Sequence, residues 1–223
     1  MSRRAWWTVG LSAGLAVTVH AATFEKDVEF LSSYVDTLLL KDADGVPKVA
    51  VVPAYQGRVM TSSTEGPSGL SLGWLNYDHI VSGETVPHIN VYGGEDRFWM
   101  GPEGGQFSIF FKAGDPFDLP HWQTPACIDT EPFDLAERAS DRLLFTKGFD
   151  LVNYSGTRLQ GYVEREVALL SAADAGKILG AVLPAALNFV GYHTKNTLRN
   201  TGPDAWTRDG GCLLYTSPSP RDS

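Results

Sequence analysis

The sequence predicts an all-β chain. Three observations carry that expectation: eight short runs rich in β-branched and aromatic residues, Asp-Gly, Gly-Pro and Pro-Ser-Gly turn signals between them, and no alternation with long helical patterns. Many short strands without crossover helices point to a sandwich or barrel. With 223 residues, 43% of them hydrophobic, the chain can fill one substantial core, and a single domain is expected at this length.

The first element is a leader. Arg3 and Arg4 precede an apolar run over residues 5–19, and Val19-His20-Ala21 fits the small-x-small cleavage pattern. A run of about 15 apolar residues falls short of the roughly 20 that span a bilayer, so residues 1–21 read as a signal peptide rather than an anchor. Export to the bacterial periplasm or beyond is the expected consequence, with no stable membrane span once the leader is cleaved.

Phe24, Val28 and Leu31 then recur at helical spacing and predict a short amphipathic helix or turn. Strands are expected over 37–40, 48–53, 57–62, 88–92, 107–111, 143–145, 163–170 and 188–198. The stretch 172–186 has helical character, but Gly176, Gly180 and Pro184 interrupt it, and it reads as a loop with a helical turn. The segment 212–223, CLLYTSPSPRDS, changes character abruptly. It resembles translated adapter sequence and reads as a non-native tail, which leaves 22–211 as the folded domain and predicts a fold incomplete at its C-terminus.

Charge narrows the partners. The whole chain carries a net of −8, and loss of Arg3 and Arg4 with the leader leaves 16 basic against 26 acidic residues, a net of −10. Nucleic acid and anionic membrane surfaces reward clustered positive charge, so neither is an expected partner. The two cysteines, Cys127 and Cys212, are not expected to pair, and neither metal-ligand spacing nor a cofactor motif occurs. A P-loop is excluded at 101–105, which lacks the Lys-Ser or Lys-Thr, and the Gly-x-Ser-x-Gly elbow of serine hydrolases is absent.

The densest polar stretch is 88–106, HINVYGGEDRFWMGPEGGQ, followed directly by FSIFF. As a strand, 88–92 would set His88, Asn90 and Tyr92 on one face, and Gly93-Gly94 would allow a sharp bend. If the chain resumes as a strand, Glu95, Arg97 and Trp99 share one face and Asp96, Phe98 and Met100 the other. An acid, a guanidinium and an indole on one face suit a saccharide, whose apolar ring face stacks on aromatic surface while planar charged groups bind paired hydroxyls. Trp74, Trp99 and Trp122 are candidate platforms. Arg97, Trp99, Gln106, Asn90 and His88 are candidate binding residues.

Four stretches also carry a resemblance: YQGRVMTS over 55–62, the GGEDRFWMGPEGGQFSIFF run, WQTP over 122–125 and NTLRNTG over 196–202. They resemble a bacterial family of exported proteins of unknown function that is itself similar to the galactose-mutarotase-like, or aldose 1-epimerase, superfamily. That resemblance implies a β-supersandwich with a sugar cleft on one concave sheet. It also implies a glutamate base and a histidine acid flanking a pyranose. Glu103 or Glu95 is the candidate base and His193 the candidate acid. The epimerase pattern Asn-x-Leu-His-Gly-Gly is only echoed by residues 89–94, where Tyr92 stands in place of the histidine. Three readings follow: an epimerase-like isomerase, a sugar-binding module without chemistry, and a structural protein of the envelope.

Overall fold

The computed structural model describes residues 22–209, 211 and 215–216. The expected leader therefore lies outside the described residues. Two larger antiparallel sheets, a two-stranded one and a few short helices make up the described fold, so the all-β expectation holds.

Helix α1 (Phe24–Tyr34) forms where Phe24, Val28 and Leu31 predict it. The Thr23 hydroxyl accepts from the Lys26 amide, and Glu25 and Asp27 place negative charge at the positive end of the helix dipole. Phe24 and Leu31 are buried, and so is Asp27, which accepts hydrogen bonds from the Ser71 and Tyr77 hydroxyls.

The first sheet orders β1 (Leu38–Lys41), β2 (Pro47–Val52) and β3 (Arg58–Ser62) as a meander. It is covered on both faces, which is why its strands read as nearly continuous apolar runs. Leu38, Leu40, Val49, Val51 and Val59 point to the core shared with the second sheet, while Ala50, Val52 and Met60 pack under α1 with Phe24, Leu31 and Tyr55. Helix α2 (Tyr77–Ser82) adds Ile80 to that second layer.

The second sheet is a four-stranded meander of β5 (Asp134–Arg138), β6 (Arg142–Val152), β7 (Arg158–Leu169) and β8 (Tyr192–Asn200), after a two-residue strand β4 (Met100–Gly101) that pairs with β9 (Tyr215–Thr216). The inward residues of β6 and β7 alternate strictly: Leu143, Phe145 and Phe149 face Val167, Arg165 and Gly161 in register. The two sheets approach so closely that a β-carbon on Gly57 would lie 2.7 Å from the Phe145 ring. On β8 the inner residues Tyr192, Thr194, Asn196 and Leu198 are only half-buried, because β8 is an edge of its sheet.

Three expectations are corrected. Residues 88–92 are not a strand: His88 has φ +73°, and the Asn90 amide donates to Asp129 instead of to a neighbouring strand. Residues 107–111 also bend, with the Ser108 amide on Gly105 O and the Phe110 amide on the Ser108 hydroxyl, although Ile109, Phe110 and Phe111 still enter the core. The stretch after β7 is a two-turn helix, α3 (Ala172–Leu179). Ser171 caps it, and Gly180 ends it in the left-handed conformation that favours glycine.

Candidate functional site

The segment following the double glycine prolongs the first sheet and carries the polar residues inward. The Gly94 amide donates to Trp74 O at 2.8 Å, the Glu95 amide to Val59 O at 2.8 Å, and the Val59 amide to Asp96 O at 3.0 Å. Glu95 and Asp96 thus leave the edge of β3 toward β8 of the other sheet. Glu95 Oε1 accepts from the Ser62 amide at 2.8 Å and the Ser62 hydroxyl at 2.9 Å, and its Oε2 accepts from the Tyr192 hydroxyl at 3.0 Å. Burial and the neighbouring Glu95 charge both push the Tyr192 hydroxyl pKa up, so it remains a neutral donor.

Asp96 is held by Arg165, whose side chain is fully buried. The Arg165 guanidinium also donates to Gly57 O and to Asn196 Oδ1, each at 3.0 Å. This fork joins β3, the 94–96 segment and β8, and it fixes the carboxylate orientation from below. Asp96 keeps 27% side-chain exposure, and among the described residues no donor reaches its Oδ1. A cleft of about 490 Å³ is lined by Lys48, Thr64, Asp141, Phe189 and Gly191, among others, and none of Glu95, Asp96, Ser62, Arg165 or Tyr192 is in its wall. Thr64 and Gly191 follow and precede, within two residues, the Ser62 and Tyr192 that hold Glu95.

A second group lies farther along the same segment. The Arg97 guanidinium carbon sits 4.2 Å from the Trp99 ring centre, a cation–π contact, and the Trp99 indole N–H donates to Glu103 Oε1 at 2.9 Å. Arg97 also donates to Ile128 O at 2.8 Å and lies 3.7 Å from the buried Asp129 carboxylate. Behind it, Arg58 is 2% exposed and donates to Gly93 O at 2.9 Å. Burial, with Arg97 nearby, lowers the pKa of Arg58 to about 9, which still leaves it charged at neutral pH.

The sequence-predicted residues therefore separate. Arg97, Trp99 and Glu103 come together, while Glu95 faces Ser62 and Tyr192 instead. Asn90 is 2% exposed and spends its amide on Val86 and Asp129, so it braces Asp129 and offers nothing to a ligand. His88 is half-buried and donates from Nδ1 to Trp122 O at 2.6 Å. Gln106 is exposed, and its carbonyl accepts from the Ser155 hydroxyl. His193 lies on the outer face of β8, exposed, donating from Nε2 to Glu166 at 3.2 Å. Strand alternation puts it opposite Tyr192, so it does not face Glu95 across a shared substrate. Cys127 is buried and its thiol is pushed up to about 12, which makes it unreactive.

A family model matches residues 22–216, nearly all of the described chain; it is that of a family of unknown function, DUF6786. The chain belongs to that family. No curated protein and no solved structure matches it. The family description carries no activity, so the function of this DUF6786 member has to be argued from its own geometry.

Four participants escaped sequence reasoning: Ser62, Arg58, Arg165 and Tyr192. Arg165 had a readable signal, since it occupies an inward position in the alternation Leu159, Gly161, Val163, Arg165, Val167. A charged residue at an inward strand position needs a buried partner, and that partner is Asp96. Trp74, named among the platforms, is the one exposed tryptophan among the described residues, at 61%. Trp99 is half-buried and already stacked by Arg97.

Proposed function

We propose that this protein binds a carbohydrate at the junction of its two sheets, through the Glu95 and Asp96 carboxylates and the Trp74 indole. The observation that carries the reading is the hydrogen bond from the Gly94 amide to Trp74 O, which ties the main chain at Trp74, a residue with an exposed indole, to the stretch where Glu95 and Asp96 begin. Saccharide recognition asks for rigid acceptors and an aromatic surface side by side. Here the acceptors are oriented in advance by Ser62, Tyr192 and Arg165, and both acids keep partial access to solvent.

Binding without chemistry is favoured over epimerisation. An epimerase requires an acid and a base on the two sides of one ring, and His193 is on the outer face of β8 while Glu95 is on the inner side. The acidic net charge and the leader-like composition of 1–21 support a sugar-binding role outside the cytoplasm. No helix among the described residues is long and apolar enough to cross a membrane.

Tryptophan fluorescence titrations of the full chain with a panel of neutral mono- and oligosaccharides test the reading. At least one should give a saturable change that weakens about tenfold or more in Trp74→Ala and in Glu95→Gln, as expected for loss of a stacking surface and of a charged acceptor worth over ~1 kcal/mol each. Undiminished binding by both variants would overturn it. A scaffold role in the envelope has one observation behind it, the exposed Ile178, Leu179 and Val182 around α3, and is preferred if the whole panel is inert.

A further inference from the structure

Beneath the double glycine lies a group that the saccharide reading does not use. Arg58 is buried, and two of its donors, Nε–H and Nη2–H, have no hydrogen-bond partner. These two are the parallel N–H groups along one side of the guanidinium fork, spaced for the two oxygens of a single carboxylate. The other end of the fork is fixed, because Nη1 donates to Gly93 O at 2.9 Å. Arg97 adds a third unpartnered donor, its buried Nε–H.

The surroundings hold this edge in place without satisfying it. Arg58 lies 5.6 Å from the Tyr92 ring centre, and Tyr92 stacks on Tyr55 at 3.8 Å. The acid in the group is Asp129, which is engaged by the Asn90 amide and side chain and lies 3.7 Å from Arg97. Among the described residues Arg58 forms no ion pair within 4.0 Å. Two guanidinium groups against one carboxylate leave a net positive charge in a buried place on a protein whose overall charge is −8. Arg97, with 23% of its side chain exposed, links this interior to solvent.

We propose that Arg58 and Arg97 form a carboxylate-binding site, in which the Nε/Nη2 edge of Arg58 takes the two oxygens side-on and Arg97 Nε adds a third hydrogen bond. The ligand is a carboxylate small enough to enter beside Arg97. Two sources share that chemistry, an acidic sugar such as a uronate and a simple free carboxylate.

The test is a thermal-shift and tryptophan-fluorescence titration of the full chain at constant ionic strength with D-glucuronate, D-glucose, acetate and sodium chloride. The expected result is a saturable response to glucuronate at concentrations at least tenfold lower than for glucose, with no response to chloride. In Arg97→Gln, shown by circular dichroism to keep the wild-type fold, the glucuronate midpoint should rise at least tenfold; Arg58→Gln should abolish the response if it folds. Glucuronate binding no tighter than glucose overturns the carboxylate site and leaves the saccharide reading standing. Response to acetate and glucuronate alike, with none to glucose, supports the site with a simple carboxylate as ligand and leaves the saccharide reading to the neutral-sugar panel. A response matched by chloride, or none to any carboxylate, overturns the site and assigns the three donors to ordered water.

Discussion

Tyr192 donates its hydroxyl to Glu95 Oε2 across 3.0 Å, and that bond joins the edge strand of the four-stranded sheet to the segment that prolongs the three-stranded one. Its removal in Tyr192→Phe leaves a half-buried carboxylate oxygen without its donor, at a cost of about 1 to 3 kcal/mol. Urea unfolding should show a lower midpoint with an unchanged slope, and saccharide affinity should fall with it. A midpoint equal to that of the wild type would show that water replaces the hydroxyl at no cost.

The tyrosines set an alkaline limit. Burial raises Tyr55 to about 12, and burial and Asp27 together raise Tyr77 to about 12; burial also raises Tyr92 and Tyr192. Each holds its proton more tightly folded than unfolded, so its contribution is complete below the unfolded value near 10 and is lost as pH rises through the folded value. Tyrosinate absorbance should show Tyr55, Tyr77, Tyr92 and Tyr192 titrating at higher pH in the native protein than in denaturant. Native and denatured curves that superimpose would contradict the buried placement.

How far the sequence reaches is visible in these residues. Helix α1 and six of the strands sit where periodicity puts them, and the alternation of Tyr192, Thr194 and Asn196 against His193 and Lys195 is observed on β8. Periodicity fails at 88–92 and 107–111 because their amides are taken by side chains and turns, and at β5 because all five of its residues are exposed. Of Glu95, Arg97 and Trp99, which alternation sets on one face, Arg97 and Trp99 do meet, with Glu103 joining them, while Glu95 turns to Ser62 and Tyr192. The partners of Glu95 and Asp96 come from 33, 69 and 97 residues away, and alternation names a face without saying what lies across from it.

Arg165 gives the largest expected loss. Its fork serves Asp96, Asn196 and Gly57 O from a position with no exposure, so Arg165→Met leaves three acceptors without their donor, each buried one costing about 1 to 3 kcal/mol. Arg165→Lys should recover little, since an ammonium lacks the planar geometry for three divergent acceptors. Denaturant titration of both variants, with Asp96→Asn as companion, tests this; a fully stable lysine variant would mean the site needs only charge.

His193 predicts the opposite. Its partner Glu166 is also bound by Arg142 at 3.1 Å, and these two hydrogen bonds hold the Glu166 carboxyl below its ordinary range, His193 contributing most. The pair is on the outer face and partly exposed, where such contacts are worth about 1 kcal/mol or less. His193→Ala should therefore shift stability by no more than that and leave saccharide binding intact. Loss of an isomerase activity in this variant would restore the catalytic role that the strand geometry withholds.

The double-glycine bend is where backbone and site depend on each other most directly. Gly94 has φ +104°, and a β-carbon there would meet Val59 O at 2.8 Å and the Arg58 side chain at 2.9 and 3.1 Å. Gly94→Ala therefore combines an unfavourable backbone conformation, of order 1 to 3 kcal/mol, with displacement of a buried arginine stem. Gly104, in the neighbouring glycine-rich loop, has nothing within 4 Å of its hypothetical β-carbon and no positive φ. Gly104→Ala should be neutral or stabilise by up to about 1 kcal/mol through the unfolded chain. Thermal melts of the two variants side by side give the measurement. If they lose stability equally, the strain assigned to Gly94 is wrong, and with it the account of how Glu95 is aimed toward Tyr192.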